Sequence, residues 1–141
     1  VVERSMYWPD FSLGWQEVHN SFGVTAPALR WGVADVRVGG PRGFQTYVLL
    51  ANPGSTPAEV EVRFLRPGQS PITRTYQLLP TSRYNVWVNQ EVPELGDGEW
   101  GAEVQVLNFQ PIVVEKALYW DANGVTWAGG TNVTGTRLPP R

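Results

Sequence analysis

Apolar and polar residues alternate most regularly across residues 58–66, where Ala58, Val60, Val62 and Phe64 fall on one side and Glu59, Glu61 and Arg63 on the other. A period of two is the signature of a half-buried antiparallel strand with one wet face. The same alternation, weaker, runs through residues 84–88, where Tyr84, Val86 and Val88 share a side and Asn85 and Trp87 take the polar one, and through residues 100–109, with Ala102, Val104 and Val106 inward. Residues 1–8, 29–38, 44–51, 72–79 and 112–120 add β-branched and aromatic runs. Turn formers close them: Pro9-Asp10, the stretch Gly39-Gly40-Pro41-Arg42-Gly43, Asn52-Pro53-Gly54, Pro67-Gly68, Pro80-Thr81-Ser82 and Asp121 to Gly124. Residues 90–99 read as a loop, and the Gly-rich segments after residues 8 and 120 carry no strand pattern.

Eight or nine strands spaced near ten residues, with no apolar stripe at helical spacing, predict an all-β fold: a two-sheet antiparallel sandwich. Immunoglobulin or fibronectin-like topology is the first expectation, although the Cys, Trp, Cys hallmark is missing; a jelly roll is the alternative. At 141 residues the chain has the length of a single sandwich domain spanning 1–141.

Part of the chain is written twice. Residues 1–28 align without a gap on residues 113–140 at an offset of 112, with nine identities: Val1/Val113, Val2/Val114, Glu3/Glu115, Tyr7/Tyr119, Trp8/Trp120, Trp15/Trp127, Asn20/Asn132, Gly23/Gly135 and Pro27/Pro139. Unrelated segments of that length would share about two. The pairs Arg4/Lys116, Ser5/Ala117 and Met6/Leu118 keep their chemistry. The chain therefore reads as one 112-residue unit preceded by the tail of another. Residues 1–8, separated from the rest of their own unit, form an unpaired strand that should dock on this domain or on a neighbour.

Composition narrows the function. Apolar residues make up 42% and charged residues 17%, the net charge is -2, and no Lys or Arg run occurs, so nucleic acid and anionic membranes are unsuitable partners. The absence of cysteine removes disulfides, thiolate metal sites and cysteine nucleophiles. No apolar run approaches the roughly 18 residues of a membrane span.

Residues 44–54 (FQTYVLLANPG), Ser82-Arg83, residues 92–95 (VPEL) and residues 112–139 (IVVEKALYW, GVTWAGGTN and TRLP) resemble a bacterial module that occurs in tandem in large secreted or surface proteins. Its hallmarks are written LLLANPG, ERAMYW and WAGG. The resemblance implies a non-catalytic extracellular β-sandwich and supplies no ligand. The first copy departs from it: Gln16-Glu17-Val18-His19 stands where the second has Ala128-Gly129-Gly130-Thr131.

Candidate chemistry is sparse. The single histidine, His19, lies near Glu17 and Asp10, which permits a general-base reading, but no nucleophile or metal set accompanies it; a loop histidine is the plainer account. Gly129 and Gly130 lack the Lys-Ser/Thr of a phosphate loop and are read as places where φ is positive or another strand comes close. Asp121 and Asn123 offer alternating oxygen donors for a structural calcium ion, with Asp97 or Glu99 across space, although a turn that bonds its own backbone needs the same residues. Glu115 and Lys116 point to opposite faces of one strand, so one requires a partner unless the strand is an edge; Arg83 is a candidate to meet Glu115.

Seven tryptophans are the main excess, and aromatic faces are what sugar rings stack on. Trp8 and Trp120 are expected in the core, and Trp15 and Trp127 as plugs over the sandwich ends. Trp31, Trp87 and Trp100 are the freer candidates for a ligand platform, with Trp15 and Trp127 behind them. The expectation is thus a non-catalytic module without a resident cofactor, an adhesive or spacer unit of a tandem array at the bacterial surface or outside the cell. Its partners are neighbouring units; the alternative is a carbohydrate-binding module attached to a glycan-active enzyme, with a polysaccharide as partner.

Overall fold

The computed structural model describes residues 2–10 and 14–139, apart from the side chains of residues 9, 10 and 14–16. Eleven strands are present among the described residues: β1 (Glu3–Asp10), β2 (Gly14–Phe22), β3 (Arg30–Val38), β4 (Gln45–Asn52), β5 (Ala58–Leu65), β6 (Ile72–Leu78), β7 (Ser82–Trp87), β8 (Gly98–Val106), β9 (Val113–Ala122), β10 (Val125–Thr134) and β11 (Thr136–Arg137). One helical turn, α1 (Val88–Glu91), and a 3-10 turn (Pro93–Leu95) occupy the stretch expected to be loop. No helix among the described residues is long and apolar enough to cross a membrane.

Two antiparallel sheets form the sandwich, one ordered β10-β9-β4-β7 and the other β11-β3-β8-β5-β6; β1 and β2 make a separate two-stranded sheet. With β3 taken as the first strand of the sandwich, β4 pairs with β7 and β5 with β8, as the second and fifth, and third and sixth, strands of an immunoglobulin sandwich do. The outer pairings differ: β3 joins β8, and β9 joins β4.

Alternation decides what lies between the sheets. Ala58, Val60, Val62 and Phe64 of β5 are fully buried, and they face Val48 and Leu50 of β4, Val86 of β7 and Val114 of β9 in one continuous core with Val104 of β8. Each such side chain contributes about 1.5–3 kcal/mol on leaving water. Tyr84 shares the inward parity of Val86 but stands 41% exposed, because β7 is an edge strand. Its ring leans on Tyr76 of the opposite edge, β6, at 5.1 Å and closes that side of the sandwich.

The strands that alternation misses are β2 and β10. Neither has an apolar stripe to announce it, and in β10 the space above two glycines is filled by rings from elsewhere. A Cβ on Gly129 would lie 2.7 Å from the Trp120 ring, and one on Gly130 would lie 2.5 Å from Trp8. The close approach expected at these glycines is thus made by indoles.

The repeat is structural as well as sequential. In the first hairpin Glu3 pairs with Phe22, Arg4 with Ser21, Ser5 with Asn20, Met6 with His19, Tyr7 with Val18 and Trp8 with Glu17. Adding 112 to each number gives the β9–β10 ladder from Glu115↔Thr134 to Trp120↔Gly129. The register then diverges: β2 slips near Trp8 and Pro9, whereas β10 bulges between Val125 and Gly129.

Position 116 shows how the sandwich manages a charge. Lys116 is 3% exposed and points across the sandwich, where its Nζ donates to the carbonyls of Ala34 (3.1 Å) and Asp35 (2.8 Å) and meets Asp35 Oδ2 at 3.3 Å. Those carbonyls are available because β3 bulges between Val33 and Val36, with Asp35 at φ 57°. Burial holds the Lys116 ammonium below its ordinary pKa, against the opposing pull of Asp35. Burial acts to raise the Asp35 carboxyl, but the hydrogen bond from Arg37 and the Lys116 charge outweigh it and keep it below the usual range.

Candidate ligand-binding face

The outer face of the four-stranded sheet, away from the core, carries the side chains that alternate with the buried ones. From β7 come Arg83, Asn85 and Trp87; from β4, Gln45, Tyr47 and Leu49; from β9, Glu115, Ala117 and Tyr119. Register brings Tyr47 between Trp87 and Ala117, and Leu49 between Asn85 and Glu115. Strand spacing of roughly 5 Å suits ring-on-ring contact between neighbours.

The rings form one row. Trp87 stacks on Tyr47 (5.9 Å, 18° between planes), and its Nε1 donates to Gln45 Oε1 at 2.7 Å. Tyr47 meets Tyr119 edge-on at 6.0 Å, and Tyr119 stacks with Trp127 (5.1 Å, 21°). Trp8 of the docked first hairpin ends the row, edge-on to Tyr119 at 6.5 Å. Burial raises the Tyr47 phenol above its ordinary pKa, with Tyr119 adding to the effect, so it remains a hydrogen-bond donor at neutral pH.

Trp127 owes its place to the β10 bulge. Its φ of 54° lies in the left-handed region, which a bulky residue occupies only when its surroundings impose it. The Asp121 carboxylate supplies part of that constraint by accepting the Trp127 backbone N–H at 2.9 Å. The ring is left 45% exposed above Tyr119. Beside it opens a groove of about 220 Å³ lined by Arg4, Tyr47, Leu49, Arg83, Asn85, Ala117, Tyr119 and Trp127.

The first hairpin forms one wall of this groove. Trp8 packs against Gly130 and Tyr119, and Arg4 Nη1 reaches Glu115 Oε2 at 3.7 Å. Ser21 Oγ donates to Asn132 Oδ1 (3.0 Å), Thr134 Oγ1 donates to the Phe22 carbonyl (3.0 Å), and His19 Nε2–H donates to the Asn132 carbonyl. With Nε2 carrying the proton, Thr131 Oγ1 donates to Nδ1 at 3.1 Å. Docking thus matches equivalent positions of the two copies, His19 with Thr131 and Phe22 with Thr134, and buries Asn132 to 1% exposure.

Of the sequence candidates, Trp87 and Trp127 lie on this face. Trp31 does not: it is fully buried, with Nε1 donating to the carbonyls of Ala28 (3.2 Å) and Ile112 (3.1 Å), so it has no ring face to offer a ligand. Trp100 is half-buried against the core, and its ring presses on Gly98, where a Cβ would come within 2.7 Å. It too is a packing residue. The side chain of Trp15 lies outside the described residues. Trp8 and Trp120, expected in the core, are only half-buried: Trp8 in the docking joint on the outer face, Trp120 beyond Leu118 on the inward parity of β9, edge-on to Phe44 at 6.3 Å with the Arg42 guanidinium over its ring at 5.4 Å. Trp127 is no end plug but part of the sheet's outer face.

Asp121 and Asn123 serve the β9–β10 turn. Asn123 (φ 53°) and Gly124 (φ 77°) make the two-residue left-handed turn that a tight hairpin requires, and Asp121 holds Trp127. Asp97 accepts from Gly40 N at 2.9 Å, and Glu99 faces Arg37 at 3.4 Å. Among the described residues no three carboxylates or imidazoles gather as a metal site. Glu115 meets Arg4 rather than Arg83, because the docked hairpin brings the Arg4 guanidinium to within 3.7 Å of it. His19 is a joint residue, and the Asp10 side chain proposed beside it is outside the described residues. Tyr47 and Tyr119 are the site residues that sequence reasoning missed. The available signal was the position of Tyr47 next to Val48 in the strand run 44–51, which puts the two on opposite faces.

No protein-family model matches the chain, and no curated protein does. Solved structures do resemble it in fold. One, titled "Crystal Structure of Thermotoga maritima 1070", superposes with a TM-score of 0.66 at 15% identity, covering 79% of this chain and 96% of its own. Another, "Anabaena sensory rhodopsin transducer", gives 0.52 at 18% identity, covering 67% and 91%. These identities speak for a shared β-sandwich architecture and for nothing finer.

Proposed function

We propose that the protein is a non-catalytic binding module that takes a saccharide on the outer face of its four-stranded sheet. The supporting observation is the row Trp87, Tyr47, Tyr119 and Trp127, whose last ring is half exposed and held over the groove by a backbone in the left-handed region. Sugar C–H edges stack on such rings while side-chain amides and guanidinium groups take the hydroxyls. Asn85 and Arg83 line the same groove. Affinity electrophoresis through gels containing soluble polysaccharides tests the reading. Retardation of the native protein that Trp127→Ala abolishes is the expected result; native mobility unchanged by every glycan sinks the proposal.

A second reading, an adhesive or spacer unit in a tandem array of a secreted or surface protein, is favoured by a different observation: a hairpin of one repeat copy seats on the hairpin of the next with equivalent residues in contact. Small-angle scattering from a chain with two complete units should give a fixed inter-unit distance. A broad distribution of distances removes this reading and leaves the first untouched.

A further inference from the structure

We infer that the saccharide taken by the aromatic groove is acidic, a uronic-acid sugar whose carboxylate is received by Arg83. This rests on the saccharide reading and adds the ligand's charge. Two guanidinium groups, Arg4 and Arg83, line the groove, and the carboxylate beside them, Glu115, is already engaged, since it faces Arg4 across 3.7 Å. Arg83 is exposed, and its guanidinium has no ion pair or hydrogen bond among the described residues, so it is free to meet a ligand. On β4 and β10, Tyr47 and Trp127 provide the ring surface, edge-on to each other at 6.5 Å. A neutral sugar would use the rings and offer the Arg83 fork only a hydroxyl, a partner that a glutamine amide at that position would meet as well. A uronate uses both, stacking its ring C–H face while its planar carboxylate accepts two parallel N–H bonds from the Arg83 fork. The volume, about 220 Å³, is below the roughly 300–1,000 Å³ of enclosed small-molecule pockets, which suits one sugar unit of a longer chain passing over an open face.

Three probes separate the possibilities when titrated into the full chain with tryptophan fluorescence and calorimetry as readouts: oligogalacturonides, neutral cello-oligosaccharides and sulfated dextran. Oligogalacturonides should bind about tenfold or more tighter than the neutral series, as expected for a charge-assisted pair. Arg83→Gln, a change at an exposed position, should erase that preference while keeping the weak neutral binding. Trp127→Ala should remove both. Equal affinity for neutral and acidic sugars, a preference that survives Arg83→Gln, or binding of sulfated dextran alone overturns the uronate assignment and leaves the saccharide reading standing. Failure of all three probes to bind overturns both.

Discussion

The two hairpins of this chain are the same object in two settings. Both copies carry Val-Val-Glu followed after three residues by Tyr-Trp, and both hairpins pair six equivalent residues in one register. Only the second is part of the sandwich. Its first strand, β9, pairs with β4 and buries Val114, Lys116 and Leu118. The matching residues of the first hairpin, Val2, Arg4 and Met6, are exposed or half-buried. Arg4 turns toward Glu115, whereas Lys116 turns toward the β3 bulge. Local sequence therefore sets which residues face each other across a hairpin, and neighbours set what that pairing contributes.

The same contrast extends to the faces that the two hairpins present. The outward face of the first hairpin repeats much of the surface on which that hairpin sits, with Glu3, Tyr7 and Asn20 in the places of Glu115, Tyr119 and Asn132. Val18 and Phe22, however, replace Gly130 and Thr134. Gly130 leaves the space that the Trp8 ring occupies, whereas the equivalent position of the first hairpin carries the exposed valine side chain of Val18.

The largest expected difference between the two settings comes from paired truncations. Leu118→Ala should cost about 3 kcal/mol and Met6→Ala less than about 1 kcal/mol, because only Leu118 leaves a cavity in a packed interior. Chemical denaturation of the two variants measures this; equal losses would mean that the first hairpin is as integral as the second. Transplanting the first copy's residue into the second is the next test. Gly130→Val should cost about 2 kcal/mol and expose the 23–28 connection to protease, with the cost reduced when Trp8 is also Ala. Val18→Gly should change little beyond strand propensity.

The charges at equivalent positions separate by pH. The folded-state pKa of Asp35 lies below 3.8, so its contribution to stability is intact above 3.8 and is lost as pH falls through the lower, folded-state value. Asp35→Asn should therefore flatten the acid limb of the stability curve. Lys116 has a folded-state pKa below 10.5, so the unfolded chain binds more protons in the window beneath 10.5 and stability climbs with pH there. Lys116→Met should lack that climb; an unchanged slope would show that the ammonium is not desolvated. The smallest effect belongs to Arg4→Gln. An ion pair at 3.7 Å with side chains 41% and 29% exposed is worth at most about 1 kcal/mol, and thermal unfolding in low and high salt should barely distinguish the variant.

Much of the sandwich was legible because one residue property, burial on alternate positions, recurs along β5, β8 and the end of β7. The inward sets of β5 and β8 are buried in the structure. Residues 14–22 and 125–134 escaped because their strand character depends on groups distant in sequence: Gly130 is extended beneath Trp8, more than a hundred residues earlier. The aromatic face was half legible. Parity put Trp87 outside, but it cannot say that a bulge swings Trp127 over Tyr119, since φ at Trp127 answers to Asp121 and the strand register.

By itself the sequence determined the class of fold and the internal repeat, because these follow from periodicity along the strands and from residue identities at a fixed offset. Only the tertiary structure decided that Trp31 is core and Trp127 surface, that Arg4 meets Glu115, and that one hairpin copy seats on the other. Those outcomes depend on which surfaces compete for the same side chain, and that competition exists only once distant strands have come together.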